Sequence, residues 1–331
     1  MKKLFLILLA GGLLMAGLGV GWFYAQTGAI HTPQQSVELM IPKGAGAIKI
    51  AQLLEQHDVI VSSRAFRLKV RLDGSGGRLR SGLYRFDQPA TMAQIIARLE
   101  QGDVMRFQVT VPEGLRTDEV IHLLAQKTAT DEKDWQAAIK KLFPADAEGR
   151  LLPETYQYTK PVRIEQMLKS MAEAQQHILA ELSSDTAVQN ELRIMASIIE
   201  KETMIARERP LVAAVIRNRL QKGMPLQMDP TVIYGIWKTT GSFSGNIRKK
   251  DLSTDTPWST YTRKGLPPTP ICNPGKASLR AAAAPADVPF LYFVADGSGG
   301  HQFAATLADH QANVSRWVRM EKQRQNKRRT K

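Results

Sequence analysis

The sequence has very little cysteine and lacks several catalytic signatures. Cys272 is the only cysteine among 331 residues, so an intramolecular disulfide is excluded. A lipoprotein is disfavoured as well, because its lipid would need a cysteine just after the N-terminal apolar run. The chain contains no His-Glu-x-x-His, Gly-x-Ser-x-Gly or Ser-x-x-Lys sequence. A zinc protease, an elbow-type serine hydrolase and a penicillin-binding transpeptidase therefore lack their signatures.

Metal ligands at familiar spacings are missing too. His301 and His310 are the closest histidine pair, and nothing nearby completes a set of ligands. We interpret both histidines as surface or packing residues. The sequence therefore predicts no metal site.

Acidic residues are outnumbered: 45 Lys and Arg face 31 Asp and Glu, for a net charge of +14. This excess favours an anionic partner, which can be nucleic acid, lipid head groups or an acidic polymer.

After Lys2 and Lys3, residues 4–24 carry no charge. About 20 helical residues at ~1.5 Å each cross a ~30 Å hydrocarbon layer, so we predict a transmembrane helix. A cleaved signal peptide is the alternative, but its apolar region would be only about 7–15 residues.

The two lysines also predict the orientation of this helix. By the positive-inside tendency, residues 1–3 form a cytoplasmic stub and everything after residue 24 lies outside the cytoplasmic (inner) membrane. This placement excludes nucleic acid as a partner. Residues 25–35 are polar and indicate a linker.

A repeat organises the region that follows. Ile41-Pro42-Lys43-Gly44 recurs as Val111-Pro112-Glu113-Gly114, and each copy joins a β-rich run to an amphipathic helix. The sequence predicts an α+β fold, with a small α+β module at residues 36–110 and a domain at 111–315 that is mainly helical and becomes loop-rich towards its C-terminal end. Residues 316–331 form a basic tail that is either solvated or in contact with anionic lipid or acidic stem peptides.

One predicted helix carries a candidate acid. Leu192, Met195 and Ile199 mark an apolar stripe, and Glu202 falls near that stripe, whereas Glu200 points away from it. A carboxyl group on an apolar face is desolvated, which raises its pKa above ~4.3 and suits it to general acid catalysis. The alternative is a solvated charged face with intrahelical ion pairs.

Polar and aromatic residues follow in loops. Asp229 and Pro230 occupy positions typical of a helix N-cap and first turn, in a short helix that should reach Tyr234. Later loops offer aromatic faces and amides, which are groups that bind sugars. Capping and ordinary loop packing are the alternatives. The candidates for substrate contact are Glu200, Gln227, Asp229, Tyr234, Tyr261 and Asn273.

These segments resemble the YceG-like (MltG) family of endolytic murein transglycosylases. The resemblance is specific because its motifs occur together. They are the two Pro-x-Gly turns, Leu-Pro-Glu-Thr-Tyr at 152–156, Ala-Ser-Ile-Ile-Glu-Lys-Glu-Thr at 196–203, Asn-Arg-Leu at 218–220, Leu-Gln-Met-Asp-Pro-Thr-Val-Ile-Tyr-Gly at 226–235, Gly-Leu-Pro-Pro at 265–268 and Asn-Pro-Gly at 273–275. One departure is Trp-Ser-Thr-Tyr at 258–261, where many members resemble Tyr-Asn-Thr-Tyr.

The resemblance implies a lytic transglycosylase that cuts the linkage between N-acetylmuramic acid and N-acetylglucosamine, leaves 1,6-anhydro ends and terminates nascent strands. It implies a LysM-like module at 36–110, a catalytic domain at 111–315, no cofactor, and peptidoglycan glycan strands and peptidoglycan synthases as partners. Similarity to the Glu-Ser of other lytic transglycosylases aligns Glu202, rather than Glu200, as the single catalytic acid and base.

Two other functions stay open at this point. A hydrolytic muramidase would need a second carboxylate ~5–9.5 Å from the acid, which Glu154, Glu200 or Asp229 could supply. A non-catalytic wall-binding or division scaffold would use the basic surface and the module, with Glu202 as an ordinary surface residue.

Overall fold

Helices and short strands alternate along the chain, which confirms the predicted mixed fold. The structure is a computed structural model that describes residues 2–243 and 245–329. Contacts divide the chain into two compact units. The first contains the described residues up to 108 together with 157–163, and the second contains 109–156 and the described residues from 164 onward. Residues 157–163, predicted within the catalytic domain, therefore cluster with the smaller unit.

The N-terminal helix α1 spans Lys2–Gly28, slightly more than the predicted segment. Its 27 residues give a length of about 40 Å at ~1.5 Å per residue. It is long and apolar enough to cross a membrane, and the apolar side chains from Leu4 to Leu18 are exposed. Only its last turns approach the rest of the first unit, where Thr27 is buried.

The first unit has a single core between two strands and three helices. Strand β1 (Val37–Ile41) pairs antiparallel with β2 (Gly82–Phe86), so that Ile41 lies opposite Gly82. Helices α2 (Ala47–Gln56), α3 (Ser63–Leu72) and α4 (Met92–Gln101) cover this pair. Ser62 caps α3, and a Thr91–Gln94 capping box begins α4. The core includes Leu39, Ile50, Leu54, Phe66, Tyr84, Ile95 and Leu99.

The second unit is mainly helical. Two of its strands, β3 (Arg106–Thr110) and β4 (Thr155–Thr159), continue into the first unit and pair with each other, and β5 (Tyr292–Ala295) pairs antiparallel with β6 (His301–Ala304). The helices are α5 (Thr117–Thr128), α6 (Glu132–Leu142), α7 (Ile164–Leu182), α8 (Thr186–Glu202), α9 (Arg209–Gln221), α10 (Asp229–Thr240), α11 (Lys249–Leu252), α12 (Lys276–Ala283) and α13 (Leu307–Arg329). The predicted basic tail lies within α13 as far as Arg329, and residues 330 and 331 lie outside the described residues.

The repeated turn has the same geometry in both copies. Gly44 and Gly114 have φ of 78° and 77°, a left-handed conformation that favours glycine. In each copy a helix begins three residues later, α2 at Ala47 and α5 at Thr117. The second copy is tied to the interior, because the Gly114 N–H donates to the Asn273 carbonyl at 3.1 Å and Lys201 Nζ donates to the Gly114 carbonyl at 3.2 Å.

Helix α8 is the centre of the second unit. All seven residues from Arg193 to Ile199 are buried, because α7, α9 and α12 pack around them. Ser197 anchors a loop to this helix: its hydroxyl accepts the Ile271 N–H at 3.0 Å, and its carbonyl accepts the Cys272 thiol at 3.3 Å. The last residue of this enclosed helix is Glu202.

Candidate active site

The carboxyl group of Glu202 is partly buried and has no hydrogen-bond donor among the described residues. Burial raises its pKa to about 8, and the negative charge of Asp229 adds to this shift. The positive charge of Arg219 acts in the opposite direction. A carboxyl group with this pKa carries its proton at neutral pH and can donate it to a bound molecule.

A cleft of about 600 Å³ opens at the end of α8. Met204, at its edge, is 92% exposed, although it directly follows the buried end of the helix. The cleft is lined by Glu113, Gly114, Glu200, Lys201, Glu202, Thr203, Met204, Ile205, Arg209, Gly299 and His301. Of the predicted site residues, only Glu202 and Glu200 belong to this lining.

The carboxylate of Glu200, unlike that of Glu202, has a hydrogen-bond donor and an ion-pair partner. One oxygen accepts the Gly275 N–H at 2.9 Å, and the other lies 3.4 Å from the guanidinium of Arg209. Glu113 shares that guanidinium at 3.6 Å. An added Cβ at Gly275 would overlap the Glu113 carboxylate, so Glu113 would have to leave its position beside Arg209. The structure therefore shows Glu200 as a brace between α8, α9 and the 273–275 loop.

Asp229 lies at the start of α10, but it is not the predicted N-cap. Met228 occupies the N-cap position without a side-chain hydrogen bond, and the helix continues to Thr240, well beyond Tyr234. The physical reason is that the Asp229 carboxylate is engaged elsewhere, accepting the Tyr261 hydroxyl at 2.6 Å. Burial and the charge of Asp229 raise the pKa of Tyr261, so this hydroxyl remains a donor.

Gln227 has strained backbone geometry beside this pair. Its φ of 49° is left-handed, which is uncommon for a residue other than glycine and costs about 1 kcal/mol or more. Two hydrogen bonds hold it: the Gln227 N–H donates to the Thr260 carbonyl at 3.0 Å, and the Met228 N–H donates to the Thr260 hydroxyl at 2.9 Å. These hydrogen bonds hold the segment before Asp229 against the loop that carries Tyr261.

Tyr234 and Asn273 are in the interior. The Tyr234 hydroxyl donates to the buried carboxyl of Glu148 at 3.1 Å, and burial raises the pKa of Glu148 to about 7. The Asn273 amide donates to the Leu115 carbonyl at 3.1 Å, and its oxygen accepts the Leu151 N–H at 2.9 Å. Asn273 supports the cleft through Gly114, whose N–H donates to the Asn273 carbonyl at 3.1 Å, whereas Tyr234 lies outside the lining. A contact with substrate stays a prediction for both residues.

A second buried carboxylate near the cleft was not predicted. Glu208 accepts the Thr203 hydroxyl at 2.9 Å, the His301 N–H at 3.0 Å and His301 Nδ1 at 2.8 Å. Burial acts to raise the pKa of Glu208, but these hydrogen bonds outweigh it and leave the pKa lowered. His301 packs edge-to-face against Phe293 at 5.3 Å, as expected of a packing residue, and it also lines the cleft. His310 stacks on Tyr292. No sequence spacing links Glu208 to a histidine 93 positions later.

Comparisons with known proteins agree on one family. The model described as "YceG-like family" matches residues 39–316. The chain is 31% identical over 311 residues to an endolytic murein transglycosylase of Bacillus subtilis (strain 168), covering 86% of this chain and 85% of that protein. A protein of the same name from Streptococcus pneumoniae serotype 2 is 26% identical over 361 residues, covering 95% and 64%. A solved YceG-like protein from Listeria monocytogenes matches with a TM-score of 0.54 and 29% identity, covering 84% and 99%.

We predict that Asn273→Ala destabilises the folded chain by about 2 kcal/mol, since it leaves the buried Leu151 N–H without its acceptor and removes the amide's hydrogen bond to the Leu115 carbonyl. The measurement is urea unfolding of the detergent-solubilised chain followed by circular dichroism. Asn190→Ala is the matched control, because that amide is exposed and only accepts Arg193 Nη1 at 3.2 Å. It should change the free energy of unfolding by less than about 0.5 kcal/mol. Equal effects at the two positions would contradict the supporting role of Asn273.

We predict that Glu202→Gln stabilises the chain more at about pH 8.5 than at about pH 4.5. In the unfolded chain this carboxyl ionises near its ordinary pKa of ~4.3, whereas in the folded chain it keeps its proton up to about 8. Stability from this group is therefore fully present below the lower pKa and is lost as pH rises through the higher one. Melting temperatures of variant and parent at both pH values test this, with exposed Glu173→Gln as control. A difference independent of pH would contradict the raised pKa.

Proposed function

The chain belongs to the YceG-like family, and we propose that it is an endolytic lytic transglycosylase that cleaves peptidoglycan glycan strands with Glu202 as acid and base. The observation that carries the proposal is the state of this side chain. Its carboxyl faces a cleft, has no donor from the described residues, and has a pKa raised to about 8. The names of the relatives support the same reaction class.

In the first step, Glu202 donates its proton to the oxygen that links N-acetylmuramic acid to N-acetylglucosamine. The bond between that oxygen and C1 of the muramic acid breaks, and the sugar develops oxocarbenium character. The proton is available because Glu202 is mostly protonated at neutral pH. Asp229 contributes by raising the cost of ionising Glu202, and Tyr261 contributes by holding Asp229 in place.

In the second step, the Glu202 carboxylate removes the proton from the C6 hydroxyl of the same muramic acid. The O6 atom attacks C1 and closes a 1,6-anhydro ring, so Glu202 regains its proton and no water is consumed. Attack within one sugar has a high effective concentration, because nucleophile and electrophile are already held together. Glu202 therefore serves both steps, and no second catalytic carboxylate is required.

The remaining predicted residues divide by their surroundings. Gln227 is exposed and Tyr261 partly buried beside Asp229, and we assign these three to contact with the glycan. Glu200, Tyr234 and Asn273 have their polar groups occupied, and we assign them to positioning.

Asp229 also gives the hydrolytic muramidase its best support, because it is a second carboxylate close enough to raise the pKa of Glu202. In that reaction Asp229 would activate a water molecule, and the products would carry reducing ends. Tyr261 opposes this role, since its hydroxyl already donates to the Asp229 carboxylate. The transglycosylase reaction is therefore favoured.

The cellular setting belongs to the same proposal. Helix α1 anchors the chain in the cytoplasmic membrane with its first residues in the cytoplasm and the catalytic unit outside. The first unit is the LysM-like module, and its strand–helix–helix–strand order around one core supports this assignment. Peptidoglycan synthases are the protein partners that the family implies, and release of nascent strands is the role. Glycan strands are the substrate.

We predict that Glu202→Gln lowers strand cleavage by about 10³-fold or more, since it removes the proton donor of the first step and the base of the second. The assay is digestion of purified sacculi by the detergent-solubilised chain, followed by mass analysis. The parent should release fragments that are one water lighter than reducing-ended ones. Glu200→Gln should lower the melting temperature yet retain far more activity, because Glu200 transfers no proton.

The outcomes separate the three functions. Reducing-ended fragments alone would establish the hydrolase. Unimpaired cleavage by the Glu202 variant would remove that residue from the mechanism, and a parent that binds sacculi without cleaving them would indicate a scaffold.

We predict that Asp229→Asn moves the alkaline limit of activity to lower pH. Activity requires protonated Glu202, so it falls as pH rises through about 8, and removing the nearby negative charge lowers that pKa. The measurement is the pH profile of anhydro-fragment release. Tyr261→Phe is the control, because it removes the hydrogen bond but keeps the charge, and its alkaline limit should not move downward. An unchanged limit in Asp229→Asn would show that the charge of Asp229 does not act on Glu202.

A further inference from the structure

The outer face of α3 in the first unit carries an exposed row of arginine and leucine. Arg64, Arg67, Leu68, Arg71 and Leu72 are all exposed and follow the i, i+3, i+4, i+7, i+8 spacing of one helix face. Both leucine side chains are well exposed to solvent, Leu68 by 42% and Leu72 by 66%. The opposite face supplies the core with Ala65, Phe66 and Val70.

The three arginines of this row are not neutralised. Within the described part of the chain, none of them is in an ion pair, whereas Lys69 on the same helix pairs with Asp73 at 2.8 Å. Glu55 is the acid within electrostatic reach of Arg64 and Arg67, but it accepts the Ser63 N–H at 2.8 Å. The row therefore presents positive charge and aliphatic surface together.

A groove of about 620 Å³ runs beside the row. The side chains that line it indicate which class of ligand can bind there. Ile48, which is 59% exposed, adds to its aliphatic surface. The lining contains no aromatic ring, amide or carboxylate, which are the groups that stack on sugars or bind their hydroxyls. Guanidinium groups and aliphatic side chains instead match an anionic head group joined to acyl chains. The lining residues are Ala47, Ile48, Arg64, Arg67, Leu68, Val70, Arg71, Gly74 and Gly76.

The row also lies beside the outer end of the apolar helix. α1 packs against α3 and α4, and only its last turns are partly covered. Just after it, His31 pairs with Ala90, which precedes α4, and His31 Nε2 contacts the Asp58 carbonyl at 2.8 Å in the turn before α3. Since α3 is ten residues long, its row extends over about 15 Å along the helix that α1 contacts.

We propose that the exposed face of α3, with the adjoining groove, docks on anionic phospholipid head groups of the membrane that α1 crosses. The inference rests on the proposed membrane anchoring and not on the cleavage chemistry. The arginines are attracted to the anionic head groups, and the leucines enter the boundary between head groups and acyl chains. Docking fixes the first unit against the membrane at a second point besides α1.

The experiment uses the full chain carrying Leu68→Cys, labelled with a fluorophore and reconstituted into vesicles. Cys272 is fully buried and does not compete for the label. Vesicles contain a quencher at head-group depth and are either pure phosphatidylcholine or a mixture of it with phosphatidylglycerol. Quenching should be severalfold greater in the anionic vesicles. It should fall towards the neutral level near 1 M salt, where the Debye length is ~3 Å.

Charge-matched variants complete the test. Arg67→Glu with Arg71→Glu should abolish the difference between the two vesicle types. Lys133→Glu with Lys140→Glu changes the net charge equally on exposed positions of α6 and should preserve it. Equal quenching in both vesicle types, or an effect unaltered by the arginine changes, overturns the proposal. So does displacement of the label from the lipid by soluble glycan fragments, which would assign the groove to sugar. Sacculus cleavage, measured in parallel, reports on the proposed activity separately.

Discussion

Removal of one carboxyl group from water is the constraint on which the second unit depends. Glu202 ends a helix whose preceding turns are enclosed by three others, and this packing holds its partly buried carboxyl at the cleft. Asp229 adds negative potential, and Arg219 limits the effect. The Arg219 guanidinium is committed to the Leu291 and Leu226 carbonyls at 2.6 and 2.7 Å, so it lowers the pKa without forming an ion pair with Glu202. The balance leaves a group that can give and retake a proton near neutral pH.

The hydrogen-bond and ion-pair partners of each carboxylate in this unit, more than its position in the sequence, determine its role. Glu200 and Glu202 are two residues apart on one helix, yet an N–H and a guanidinium occupy the first while the second has neither. Glu208 is buried but accepts three hydrogen bonds, so it stays ionised and orients His301. Glu148 anchors Tyr234. Of these four carboxyl groups, only that of Glu202 has no donor among the described residues, which is why we propose it for acid chemistry.

The sequence predicted local structure well because periodicity and turn residues act locally. The apolar helix, the repeated turn and α8 all follow from such patterns. The same pattern gave a weak reason for choosing Glu202, since α8 is buried around its whole circumference and its apolar stripe therefore distinguishes little. The choice depends on hydrogen bonds to residues far along the chain. His301, Glu148 and the engagement of Asp229 by Tyr261 were beyond prediction for the same reason.

The two copies of the Pro-x-Gly turn show how one local motif comes under unequal constraint. Around Gly44 there is open space, so left-handed backbone geometry is its sole requirement, and asparagine meets it at modest cost. Gly114 has nearly the same φ, but its N–H donates to the Asn273 carbonyl and its carbonyl accepts Lys201 Nζ. A side chain at the first turn therefore costs only the strain of its backbone geometry, whereas a side chain at the second turn must also fit beside Glu200 and Lys201 without displacing the two hydrogen bonds.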